Sequence, residues 1–191
     1  MQDSDKLVQE LEKARHEIDL MRRSTKLGEF EEHWKEFLGR LERVWYKACS
    51  HFRRSRKWNG WKDTYEQSRK KDPLLSYLVK ARGADEHTVG EITQREPGGI
   101  GINPAEGNSL HIESIEIKNG VMNIKSPQNL RIDFMPGRVN LLPVTNRGRV
   151  YPVPTDHMRK PIDPSNVIAI AEMAIQYYWE FLKEARAYFV K

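Results

Sequence analysis

Arg82 and His87 stand five residues apart in the stretch Asp72-Pro-Leu-Leu-Ser-Tyr-Leu-Val-Lys-Ala-Arg82-Gly-Ala-Asp-Glu-His87. These side chains can do chemistry on a phosphate backbone. A histidine that titrates near neutral pH can take the proton from a ribose 2′-OH or give one to a leaving oxygen. An arginine can hold the scissile phosphate with two parallel hydrogen bonds and stabilise developing charge. A reaction that uses the neighbouring 2′-OH needs no metal and spares DNA, which lacks that hydroxyl. On one helix, five positions correspond to roughly 140° of separation, so the pair does not converge unaided. Either the helix loosens at Gly83 or a symmetric partner helix completes the site. The competing reading is plain: Arg82 pairs with Asp85 or Glu86 and His87 sits on the helix surface, a pairing worth only a few tenths of a kcal/mol.

A cationic segment lies just before this stretch. From His51 to Lys71 there are eight Lys/Arg against Asp63 and Glu66, a local net charge of +6. Arg53, Arg54, Arg56, Lys57, Lys62, Arg69 and Lys70 are the candidate nucleic-acid-binding residues, because cations neutralise phosphates. Trp58, Trp61 and Tyr65 are interleaved with them. The two tryptophans either stack on unpaired bases or tuck back onto the protein and anchor the segment. A second cluster, Arg138 to Lys160, carries five Lys/Arg against Asp156. The whole chain has a formal charge of +5, so both clusters stand out from an otherwise acidic remainder.

Several elements must position these residues. Leu7, Leu11, Ala14, Ile18 and Met21 recur at helical spacing and predict an amphipathic helix over 5–23, read as an N-terminal arm. Phe30, Trp34, Phe37, Leu38, Leu41, Trp45 and Ala48 form a heavier stripe and predict a core helix over 29–54. Residues 55–71 contain Asn59-Gly60 and show no apolar period, which predicts an exposed loop. Asp72 then caps a helix with Pro73 at its first position. Its buried face is Leu74, Leu75, Leu78 and Ala81, extended to Val89 and Ile92. Beyond Pro97-Gly98-Gly99 the period changes to two. Ile115 to Ile117 and Val121 to Lys125 flank Asn119-Gly120, a strong hairpin signal. Leu130–Phe134, Val139–Leu142 and Arg149–Val153 read as further strands of one small sheet of about four or five strands. Asp163-Pro164-Ser165 opens a long apolar final helix that ends near Phe189.

The expected fold is therefore mainly α: a helical bundle with a small antiparallel β insertion before the last helix. Residues 1–28 form the arm, 29–96 with 163–191 the bundle, and 97–162 the insertion. Trp34, Phe37, Leu41, Trp45, Leu75, Leu78, Ile175, Tyr178 and Leu182 are the expected core.

With Arg82-Gly-Ala-Asp-Glu-His87 on a late helix of a small bundle, the chain resembles the HEPN superfamily, whose ribonuclease members carry an Arg and a His separated by four to six residues. The aromatic final helix, Tyr177-Tyr178-Trp179-Glu-Phe181-Leu182, is similar to such bundles too. The resemblance spans 29–95 and 163–189. It implies a homodimer with a composite cleft, metal-independent cleavage of RNA by Arg82 and His87, and a place in a toxin–antitoxin or antiviral system with an antitoxin or other protein partner. Two departures stand beside it. Gly83 replaces the polar residue that usually follows the arginine, and a β insertion is not part of the family's core.

Other chemistries find little support. Cys49 is the only cysteine, so no internal disulfide forms, which fits a reducing compartment. No stretch has the length of a membrane span, and the expected location is the cytoplasm. Gly98-Gly99-Ile100-Gly101 lacks the spacing of a nucleotide loop, and the six histidines are scattered, so neither a cofactor nor a metal is expected. The alternative to an enzyme is a binding or assembly module that uses the same basic face to hold nucleic acid or protein.

Overall fold

The computed structural model describes residues 2–87 and 90–189. Five helices carry the larger of two compact units, which comprises residues 1–95 and 139–191. They are α1 (Gln2–Arg23), α2 (Leu27–Phe52), α3 (Trp58–Lys71), α4 (Pro73–His87) and α5 (Val167–Phe189). The apolar stripe of α2 forms the floor of the core: Trp34, Phe37, Leu38, Leu41, Val44 and Trp45 are buried, with α1, α4 and α5 packed around them. The nine core residues expected from periodicity are all buried. Leu7, Leu11, Ala14, Ile18 and Met21 are buried as well, so α1 lies against α2 and α5 as part of this core.

α3 departs from expectation. Its residues were expected to form a loop, yet Trp58, Trp61, Tyr65 and Arg69 fall at helical spacing and all turn inward or half inward. Trp58 is buried among Phe52, Phe181, Phe189 and Trp61, with ring centroids 5.2 to 6.3 Å away. Aromatic burial here outweighs the turn preference of Asn59-Gly60, which occupies the first helical turn.

Asp72 caps α4 as the sequence indicates: its Oδ1 accepts the Leu75 backbone N–H at 3.0 Å. The helix ends at His87. Of the two residues predicted to extend its buried face, Val89 lies outside the described residues, and Ile92 is buried ahead of a strand rather than on the helix. At α5 the cap is Asn166, whose side chain accepts the Ala169 N–H at 2.9 Å, while Asp163 closes the preceding turn through Ser165.

The β structure corrects the predicted fold class. There is no single small insertion sheet on a helical bundle. Among the described residues ten short strands form five separate two-stranded antiparallel pairs, making this a mixed α and β protein. In the helical unit β6 (Arg138–Leu141) pairs with β1 (Thr93–Glu96), β7 (Val144–Asn146) with β8 (Arg149–Tyr151), and β9 (Asp156–His157) with β10 (Lys160–Pro161). β7 and β9 pack on α4. The second unit, residues 96–138, holds β2 (Gly99–Pro104) paired with β5 (Leu130–Met135), and β3 (Ser114–Lys118) paired with β4 (Val121–Lys125). Asn119 and Gly120 both have positive φ, the geometry of the predicted hairpin turn.

The physical reason for the difference is that alternation locates strands but does not say which ones pair. Turn signals interrupt each strand after two to six residues. Joining ribbons into one sheet requires a broad apolar face to bury, and no residue between 96 and 138 is buried.

Candidate nucleic-acid interface

On α4, Pro73, Lys80 and His87 fall seven residues apart, so each lies about 20° from the next on one face, two turns between each. Ser76 is about 40° from this line. Arg82 is on the other side, near 200° from Lys80. The structure thus does not bring Arg82 and His87 together within one chain.

Arg82 is engaged by its own helix. Its guanidinium contacts Glu86 and lies 3.5 Å from Asp85, which in turn is 3.3 Å from Lys35. It lies across α2 at Gly39, where an added Cβ would sit 3.5 Å from Arg82 Nε. His87 is exposed at the last position of α4.

The seven basic candidates divide into groups. Arg53 and Arg54, at the end of α2, are exposed and line a cavity of about 570 Å³ with Lys6, Lys47, Ser50 and His51. Arg56 and Lys57 are exposed in the turn before α3. Lys62 and Lys70 donate to the two oxygens of Glu66 at 2.6 and 2.7 Å. Those ammonium groups hold the Glu66 carboxyl at a pKa of about 2. Arg69 is the buried one. Its Nε donates to the Tyr178 hydroxyl at 3.0 Å, its Nη2 contacts Glu42, and its guanidinium lies 4.1 Å from the Trp45 ring centroid. A buried guanidinium held this way organises α2, α3 and α5.

A groove of about 910 Å³ is formed by α2, α3, α4 and the segment 149–155. Trp45, Arg69 and Tyr77 lie at its inner side; Tyr77 is fixed by donating its hydroxyl to the Leu142 carbonyl at 2.7 Å. Lys70, Lys71, Lys80 and Arg149 line it, with Glu66 the one acid among the lining residues. Lys71, Lys80 and Arg149 have no carboxylate partner among the described residues. Lys80 and Arg149 instead lie against Tyr151, 5.5 and 5.3 Å from its ring centroid. Sequence reasoning missed Lys80, Arg149, Tyr46 and Tyr151. No sequence signal singled out Lys80, while the second basic cluster contained Arg149.

The hairpin β9–β10, which follows the 149–155 segment in the chain, is tied to the start of α4 through Asp72. The Asp72 carboxylate that caps α4 also lies 2.9 Å from His157 Nδ1 and accepts the Met158 backbone N–H at 2.7 Å. Burial by itself would raise the Asp72 pKa, but the His157, Met158 and Leu75 hydrogen bonds outweigh it and hold the carboxyl below its ordinary value.

Among the described residues no three His, Cys, Asp or Glu side chains converge as a metal site, and no helix is long and apolar enough to cross a membrane. No protein-family model, curated protein or solved structure matches the chain.

Proposed function

We propose that the protein is an RNA-directed binding protein that holds the phosphate backbone in the groove between α3, α4 and β8. The observation that carries this reading is the set of Lys71, Lys80 and Arg149 around one cavity, each without a carboxylate partner among the described residues. A polyanion supplies the missing counter-charge and releases its own condensed ions on binding. The test is a titration of a fluorescent RNA oligomer with the full chain at low salt. Saturable binding that weakens steeply with salt is the expected result; no association at low salt overturns the reading.

A second reading concerns cleavage, and His87 favours it: it is exposed and continues the α4 face that lines the groove at Pro73, Ser76 and Lys80. A HEPN-like ribonuclease of a conflict system would use His87 as proton-transfer group and Arg82 as the phosphate clamp. Their opposed directions on α4 require a homodimer, in which Arg82 exchanges Glu86 and Asp85 for a phosphate. RNA cleavage in EDTA, lost in His87→Ala with RNA binding retained, is the outcome this reading expects. Wild-type protein that binds RNA without cutting it leaves the binding function alone.

A further inference from the structure

The groove carries aromatic surface that charge neutralisation does not explain. Tyr46, on the α2 turn beside buried Trp45, is 67% exposed and has no hydrogen-bond or ring partner among the described residues. Tyr151 lies on the opposite strand segment with Lys80 and Arg149 against its ring. Prolines 73, 152 and 154 fill the wall between the cations. A purely electrostatic site for a duplex backbone needs none of these rings.

We infer that the groove takes a single-stranded polynucleotide, with bases stacking on Tyr46 and Tyr151 while Lys71, Lys80 and Arg149 hold the flanking phosphates. This rests on the RNA-directed reading above and narrows its substrate class. Every base has a π-face, so stacking on tyrosine adds affinity without reading sequence. In a duplex those faces are already stacked on neighbouring pairs and are out of reach of a side chain. Arg149 lies against the Tyr151 ring, which sets the phosphate-holding cation directly beside the stacking surface. The volume agrees: about 910 Å³ lies at the upper end of the roughly 300–1,000 Å³ typical of small-ligand clefts, room for a few splayed nucleotides.

The experiment compares three probes on the full chain at one salt concentration: an oligoadenylate RNA strand, the same strand annealed to its complement, and a polyglutamate peptide of similar charge. The single strand is expected to bind at least tenfold tighter than the other two. Tyr151→Leu and Tyr46→Leu are each expected to weaken single-strand binding by about 5- to 100-fold, with the salt dependence unchanged because no phosphate contact is removed. Tyr151→Phe is expected to bind like wild type, since it keeps the ring and loses only the hydroxyl. Duplex or polyglutamate binding as tight as the single strand, or leucine variants that bind like wild type, overturns the stacking inference while leaving a charge-based interaction intact. If none of the probes binds, the RNA-directed reading itself falls. An oligodeoxyadenylate arm separates RNA from DNA as the source of the strand.

Discussion

Replacing Lys71, Lys80 and Arg149 together by alanine isolates the electrostatic share of binding. The groove holds five cations, but two are committed: Arg69 to Glu42 and Tyr178, Lys70 to Glu66. Three remain for phosphates. Each phosphate contact on a single strand contributes about −0.7 to the slope of log K against log salt, so three contribute about −2. Between 50 and 200 mM salt, a fourfold change, that share amounts to about a 20-fold loss of affinity. The triple variant is expected to bind more weakly at low salt and to lose about 2 from the wild-type slope. Lys71 and Arg149 are exposed and Lys80 is half-buried, so folding should be disturbed little. Fluorescence anisotropy at a series of salt concentrations reads the slope, and circular dichroism checks the fold. An unchanged slope would refute the placement of the backbone in this groove, whatever the affinity. Arg53→Ala with Arg54→Ala, which line a separate cavity, is the comparison that shows whether the strand continues beyond the groove.

Trp45→Ala is expected to destabilise by about 3–5 kcal/mol in urea unfolding, because the indole is 6% exposed, sits 5.1 Å from the Phe181 ring and supports Arg69. Asp72→Ala should cost about 2–4 kcal/mol, from a lost helix cap and a stranded Met158 N–H. A loss below 1 kcal/mol would show that the β9–β10 clamp contributes little. The sign of the acid response follows from the depressed carboxyls. Asp72 and Glu66 contribute stability that is present above their unfolded values of 3.8 and 4.5 and is lost as pH falls through the lower folded values, about 2 for Glu66. Melting temperature should therefore fall between pH 4.5 and 2, and Asp72→Asn should flatten that fall. Phe134→Lys, at a side chain 77% exposed on the apolar face of β2–β5, should leave stability within about 0.5 kcal/mol; a larger loss would mean that face is covered in solution.

Helices with a strong 3.6-residue stripe were legible in the sequence because their pattern records burial directly. α2, α5 and the start of α4 were placed to within a few residues, the expected end of α4 was carried too far at Ile92, and even the lighter stripe of α1 marked the residues that are buried. The β3–β4 hairpin was legible because Asn119-Gly120 is a local backbone preference that needs no distant partner. α3 was not, since its stripe is made of Trp58, Trp61, Tyr65 and Arg69 among many charges, and an arginine does not announce itself as a core residue. Only the tertiary structure supplies Glu42 and Tyr178 as its partners.

The candidate site divides in the same way. By itself the sequence determined where the cations are, that Asp72 caps α4, and that Arg82 and His87 diverge on that helix. These follow from composition, local capping chemistry and the rotation per residue. Tertiary packing decided which cations face a common groove, which are neutralised by Glu42 or Glu66, and that Tyr46 and Tyr151 line the same groove as Lys80 and Arg149. It also decided that the strands pair as five ribbons and not as one sheet. Apart from the local Lys70–Glu66 pair and the hairpins closed by short turns, these outcomes depend on contacts between residues far apart in the chain, set by burial and pairing partners that no local pattern encodes.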